Sequence, residues 1–199
     1  MLWGHSGDDG GGNAFIGFHP DGDNGNATFG RWTQQFPNKL PGVANHNAMQ
    51  IHPLRDIIVV SVHSHDALYA LNPADPARGI VRLKSVGPKP LLRPFAALEY
   101  APNVARLVYF SPLDDGFVYT IAPSSEPDGG GESIAQWTWQ AHRPTSGTLN
   151  PIADAAGRSR YRVNKAHVFG RFRIAAIEGV DIAILIRHVD SPVYARRLN

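Results

Sequence analysis

Apolar residues in this chain come in short runs of four to six, separated by turn residues. Residues 48 to 73 show the pattern best. Ala48 to Ile51 reads as a first strand, and His52-Pro53-Leu54-Arg55-Asp56 as a polar turn. Ile57 to Val62 is a near-continuous β-branched run, the mark of a strand buried on both faces. His63 to Asp66 makes the next turn, and Leu68 to Leu71 a third strand closed by Asn72-Pro73. The runs are too short, and Pro too frequent, for helices.

The unit recurs. Ala48-Met49-Gln50-Ile51-His52-Pro53 is matched 49 residues on by Ala97-Leu98-Glu99-Tyr100-Ala101-Pro102. Arg171-Phe172-Arg173-Ile174-Ala175-Ala176 is a weaker third copy. The buried strand returns as Leu107 to Phe110 and Ile182 to Ile186, the third strand as Val118 to Ile121 and Val193 to Arg196. Asp66, Asp115 and Asp190 each stand shortly before a tyrosine of that third strand. Arg31-Trp32 before Pro37, Arg82-Leu83 before Pro88, and Trp139 before Pro144 mark a fourth, outer strand. Four strands in roughly 50 residues, repeated, predict β-propeller blades.

Asn13 to Pro20 aligns with Asp66 to Pro73, so the N-terminal residues read as a unit entered late, with Met1-Leu2-Trp3 as the tail of a second strand. The expected organisation is one domain over 1–199. It has a partial unit (1–42), two full units (43–90 and 91–145), an insertion loop (146–165) and a three-stranded unit (166–199).

Composition agrees with an all-β chain. The 20 Gly and 16 Pro supply many turns, and 43% hydrophobic residues can build a core. Net charge is +2 with no dense Lys/Arg block, which argues against nucleic-acid binding. There is no cysteine, so disulfides, thiolate metal sites and cysteine nucleophiles are excluded. No basic segment followed by an apolar run opens the chain, so no signal peptide is visible, and the compartment stays open. No apolar stretch approaches the roughly 18 residues of a membrane span.

Gly-His-Ser-Gly-Asp-Asp-Gly-Gly-Gly-Asn, Phe-Gly-Arg-Trp-Thr, the paired Tyr/Trp spacing and the unit length resemble kelch-type β-propellers, more narrowly the bacterial galactose-oxidase-like group. His167-Val168-Phe169-Gly170-Arg171-Phe172-Arg173 and Val193-Tyr194 through Leu198 look like a closing blade. The resemblance covers nearly the whole chain. The kelch double glycine, however, is matched only loosely around Gly4 to Gly12 and is missing after Ser61-Val62 and Phe110-Ser111. It implies an all-β, partial or small β-propeller of four-stranded antiparallel blades, about three and a half of them. Such a count leaves three forms open: the C-terminal blades of a longer chain, a small closed ring, or a half that pairs with itself. The resembled group is often exported. Its copper-radical oxidase chemistry needs a cysteine-crosslinked tyrosine, which this chain lacks.

Several clusters are candidates for chemistry. His63, His65 and Asp66 have the look of a metal cluster, but they fall in a turn and no third ligand is set by local spacing, so no metal and no cofactor is expected. Asp21-Gly22-Asp23-Asn24-Gly25-Asn26 departs from a calcium loop at its fifth, sixth and twelfth places, where Gly25, Asn26 and Trp32 stand. Gly10 to Gly12 and Gly129 to Gly131 lack the Lys-Ser/Thr of a phosphate loop. Trp32, Trp137 and Trp139 fit packing between units better than sugar stacking. In a propeller, polar residues just before each first strand ring one mouth of the channel. Here these are Asn45, His46, Asn47, Arg93, Asn164, Lys165, His167 and Arg171. Such a set suits an anionic or sugar ligand.

The expected function is non-catalytic: a binding or scaffold propeller recognising a protein or glycan at that mouth. One alternative is part of a carbohydrate-active enzyme using His46, His167 and Arg171. Another is a structural half-propeller that associates with itself.

Overall fold

In a computed structural model, the structure describes residues 40, 47–94, 96–111, 117–123, 136–143, 172–186 and 193–198, and the backbone alone of 2–5, 15–18 and 32–34. β1 (Leu2–His5), β2 (Phe15–Phe18) and β3 (Trp32–Gln34) form a three-stranded antiparallel sheet. β4 (Ala48–His52), β5 (Ile57–Val62), β6 (Ala67–Leu71) and β7 (Ile80–Arg82) form a four-stranded antiparallel meander. β8 (Lys84–Val86), β9 (Ala97–Ala101), β10 (Arg106–Phe110), β11 (Val118–Pro123) and β12 (Gln136–His142) form a five-stranded sheet in the order β8-β12-β11-β10-β9. β13 (Phe172–Ile177), β14 (Val180–Ile186) and β15 (Val193–Arg197) form the last antiparallel sheet.

The burial follows from alternation on strands that are covered on both sides. On β5, Ile57 and Val59 face a core shared with Leu98, Leu107, Tyr109, Ile121, Trp137 and Trp139 of the β8–β12 sheet. Its alternate residues Ile58, Val60 and Val62 face a separate core with Leu40, Tyr69 and Leu71. β10 repeats the logic one sheet on: Leu107 and Tyr109 point to the first core, while Val108 and Phe110 pack with Phe172, Ala183 and Leu185 of the β13–β15 sheet. The ring planes of Phe110 and Phe172 stack at 5.3 Å. Two-sided burial is why these strands lack a polar face.

Neighbouring sheets touch through their first strands, β4 against β9 and β9 against β13. Glu99 of β9 bridges them, accepting from Gln50 Nε2 of β4 at 3.5 Å and pairing with Arg173 of β13. Asp181 makes a stronger link. Fully buried on β14, its carboxylate accepts from the backbone N–H groups of Asn103 (2.8 Å) and Val104 (2.9 Å) and from Asn103 Nδ2 (2.9 Å). It thereby caps the β9–β10 turn of the adjoining sheet.

The strands lie where the alternation predicts them, but their assembly is not a propeller. The sheets are discrete, none is closed or curled as blades are, and the described strands form no ring around a channel. The kelch and galactose-oxidase-like resemblance and the partial or small propeller of about three and a half blades are therefore corrected to an all-β fold of discrete sheets. With the ring go the channel mouth, the protein- or glycan-binding scaffold built on it, its carbohydrate-active alternative and the self-pairing half-propeller. The physical reason lies in what a repeat encodes. A period of apolar runs and turns specifies strands and hairpins within one sheet, while closure depends on how sheets meet. The segment around Arg82-Leu83 shows the gap. It was expected to be one outer strand, yet it splits: β7 pairs with β6, and β8 crosses over to pair in parallel with β12. The repeating unit is thus not a self-contained sheet.

Candidate functional site

The crossing segment leads to a polar corner. After β8 the chain turns at Gly87, whose φ is +91°, and a Cβ there would lie 2.5 Å from the Trp139 carbonyl oxygen. Only glycine fits this close approach. The chain then runs along one end of the sheets, through Lys89 and Leu92, to Arg93 before β9.

Asp66 holds this segment in place. It ends the 3-10 turn His63–His65 in the left-handed region, with φ 45° and ψ 45°, a conformation Asp tolerates. Its Oδ1 accepts the Leu92 N–H at 2.8 Å. Its Oδ2 pairs with Lys89, whose Nζ also donates to the Asp66 carbonyl oxygen at 2.8 Å. The Arg93 N–H donates to the Tyr109 hydroxyl at 2.8 Å, so the backbone of Arg93 is anchored on both sides.

The same turn orients Asn47, which precedes β4. Asn47 Oδ1 accepts the backbone N–H of His63 at 3.3 Å and lies 3.0 Å from His63 Nδ1. A backbone N–H is always a donor, so it fixes which end of the amide faces His63. The other end, Nδ2, is then turned away as a donor. Asn47 is only 6% exposed, and Nδ2 has no hydrogen-bond partner among the described residues. The same holds for the buried Nε of Arg93. No carboxylate pairs with the Arg93 guanidinium among the described residues, whereas Lys89 is matched by Asp66. One turn therefore orients the Asn47 amide and holds the backbone that carries Arg93, two side chains whose buried donors have no acceptor among the described residues.

Of the residues singled out from sequence, Asn47 and Arg93 fall together here, joined through His63 and Asp66. Asn45, His46, Asn164, Lys165, His167 and Arg171 lie outside the described residues, as do the Asp21 to Asn26 loop and both glycine triplets. His63 and Asp66 serve the network just described, and His65 is exposed. Among the described residues no group of three or more His, Cys, Asp or Glu is placed to hold a metal ion. Trp137 and Trp139 are buried in the first core, where they meet the His52 ring (5.7 Å) and the Tyr109 ring (6.0 Å) edge-on, and present no face to a sugar.

Sequence reasoning missed Lys89 and the Tyr109 hydroxyl. Lys89 stands in Gly-Pro-Lys-Pro, a run without alternation that gives its side chain no predictable face. Tyr109 reads as a plain core residue, and its ring is one, while its hydroxyl reaches the sheet end.

At the opposite edge of the β8–β12 sheet, Thr120 Oγ1 lies 2.9 Å from His142 Nε2. Arg196 of β15 donates to the carbonyl oxygens of His142 (3.1 Å) and Arg143 (2.6 Å). Burial, then the charges of Arg196 and Arg106, hold the His142 pKa below its ordinary value. This is a clasp between sheets.

No helix among the described residues is long and apolar enough to cross a membrane. No family model matches the chain, and no curated protein or solved structure is significantly similar to it.

Proposed function

We propose that the protein binds a small oxyanion at the sheet end formed by Asn47 and Arg93, and does so without turning it over. The observation that carries this is that Asn47 Nδ2 and Arg93 Nε are buried donors with no acceptor among the described residues and, unlike the equally unmatched indole N–H groups of Trp137 and Trp139 inside the apolar core, belong to polar side chains at a sheet end. Leaving one buried donor unmatched costs about 1–3 kcal/mol, and folded proteins match the great majority of such groups. An anionic ligand supplies the acceptors these donors lack and, at Arg93, meets the guanidinium charge in a charge-assisted hydrogen bond. A binding role also suits the surroundings. Among the described residues of this network, the acid Asp66 is committed to Leu92 and Lys89, and the histidine His63 to orienting Asn47. The absence of cysteine removes copper-radical chemistry through a crosslinked tyrosine.

Isothermal titration calorimetry with sodium acetate, at constant ionic strength, tests the assignment. Wild-type protein is expected to bind, and Arg93→Gln to lose at least about tenfold in affinity, the equivalent of one charge-assisted contact. Equal affinity in wild type and Arg93→Gln contradicts the site.

A further inference from the structure

We infer that the sheet-end site selects a singly charged carboxylate over a doubly charged phosphate, and that Asp66 is the positioning residue that sets this choice. The inference rests on the oxyanion reading above. Among the described residues two cations stand at this corner, and only one is uncompensated. Lys89 is bound twice by Asp66, through the carboxylate and the backbone carbonyl. Arg93 has no acid partner among the described residues. A ligand therefore meets one net positive charge, a planar guanidinium and one amide donor. That set matches a carboxylate, which takes the planar fork in two parallel hydrogen bonds. A phosphate dianion would bring a second charge with no further cation among the described residues to meet it, and would feel the half-exposed Asp66 carboxylate nearby, whose side chain is 41% exposed.

Asp66 has a second task. Through Leu92 N–H it holds the residue before Arg93, and through the turn it ends it holds His63, which aims Asn47. One residue that does not itself touch the ligand thus holds the backbone leading into Arg93 and, through His63, the Asn47 amide. The two tasks are separable by substitution. In Asp66→Asn the side-chain oxygen still accepts from Leu92, and Asn tolerates the left-handed backbone. Only the charge is lost, and the Lys89 charge is no longer neutralised although its bond to the residue 66 carbonyl oxygen remains. In Asp66→Gly the backbone is unstrained, but both the acceptor and the charge are gone.

Acetate and methyl phosphate serve as probes, since they share a methyl group and differ in charge. Titrations run at about pH 8, where the second phosphate proton has left, and at constant ionic strength so that screening is equal. Wild-type protein is expected to bind acetate more tightly than methyl phosphate. Asp66→Asn is expected to gain about tenfold for methyl phosphate, the effect of one cation no longer neutralised, while acetate stays within about threefold, a shift of well under one such contact. Asp66→Gly is expected to weaken both. Tighter wild-type binding of methyl phosphate overturns the selectivity. Equal behaviour of Asp66→Asn and Asp66→Gly overturns the positioning role. Hydrogen exchange at the Leu92 amide gives a readout that needs no ligand: protection is expected to persist in Asp66→Asn and to fall in Asp66→Gly, and unchanged protection in both contradicts the tether. If neither anion binds wild-type protein, the oxyanion reading fails and takes the selectivity with it, whereas the Leu92 exchange still decides whether Asp66 is a tether.

Discussion

The two ends of the β8–β12 sheet are built by opposite logic. At the β9–β10 turn, one buried carboxylate, Asp181, receives three donors. At the other end, Asn47 and Arg93 present donors that receive nothing among the described residues. The first arrangement is what joins sheets: a charge is buried only because its hydrogen bonds are complete. The second is what a binding site looks like before its ligand arrives, since a buried donor held rigid by its neighbours has no other way to recover its lost hydration. Completed hydrogen bonds join the sheets at Asp181, while the open donors of polar side chains at Asn47 and Arg93 carry the proposed site.

The comparison can be broken first at its saturated end. Asp181→Ala strands the Asn103 and Val104 N–H groups, and a loss of about 3 kcal/mol or more is expected in urea denaturation. A loss below about 1 kcal/mol, the worth of one ordinary hydrogen bond, means that the three bonds are not formed in solution. Next comes Gly87→Ala, which puts a Cβ against the Trp139 carbonyl at a positive φ. A cost of about 2 kcal/mol is expected, together with faster exchange of the β8 amides that pair with β12.

A smaller effect is expected at His142. Its folded pKa is lowered, by burial first and then by Arg196 and Arg106. The unfolded chain, titrating near 6.5, therefore takes up a proton before the folded protein does. Stability from the clasp is complete above that value and declines as pH falls through it toward the lower folded value. Denaturation midpoints measured on either side of it are expected to fall on the acid side in wild type and to show a weaker decline in His142→Gln. Identical pH profiles for the two proteins contradict the burial of the neutral His142 ring between Thr120 and Arg196.

The smallest stability effect belongs to the incomplete end. Arg93→Met removes the guanidinium but none of the described hydrogen bonds, because the Tyr109 contact is made by the backbone. A change within about 0.5 kcal/mol is expected, against a large loss of acetate binding. Destabilisation well beyond that would make Arg93 structural, like Asp181.

Much of the strand inventory was legible without coordinates. Ile57 to Val62 announces a two-sided buried strand by its β-branched run, and Ala97 to Ala101 announces its kinship with Ala48 to His52 by spacing alone. The assembly was not legible, because nothing in a hairpin repeat states whether sheets will close. The sheet-end site was half legible. Asn47 and Arg93 stand out as polar residues before first strands, but the idea that led to them, a channel mouth, is wrong for this fold. What makes them interesting is an accounting of donors and acceptors across residues far apart in sequence, such as Asn47 with His63 and Asp66 with Leu92. Such an accounting needs the fold first. Asp181 illustrates the same limit. In sequence it is an acid in the hairpin Glu178-Gly179-Val180-Asp181, with every appearance of a surface turn, yet it is fully buried.

The central claim is that Arg93 and Asn47 are donors waiting for an anionic oxygen, and nuclear magnetic resonance of the Arg93 Nε–H during a sodium acetate titration tests it most directly. The account predicts a saturable downfield shift of that proton, with a parallel shift of the Asn47 side-chain amide and none at the backbone amide of Asn103 beside Asp181. An Arg93 Nε–H that does not move as acetate is added, or that moves no more than exposed arginines such as Arg82, contradicts it.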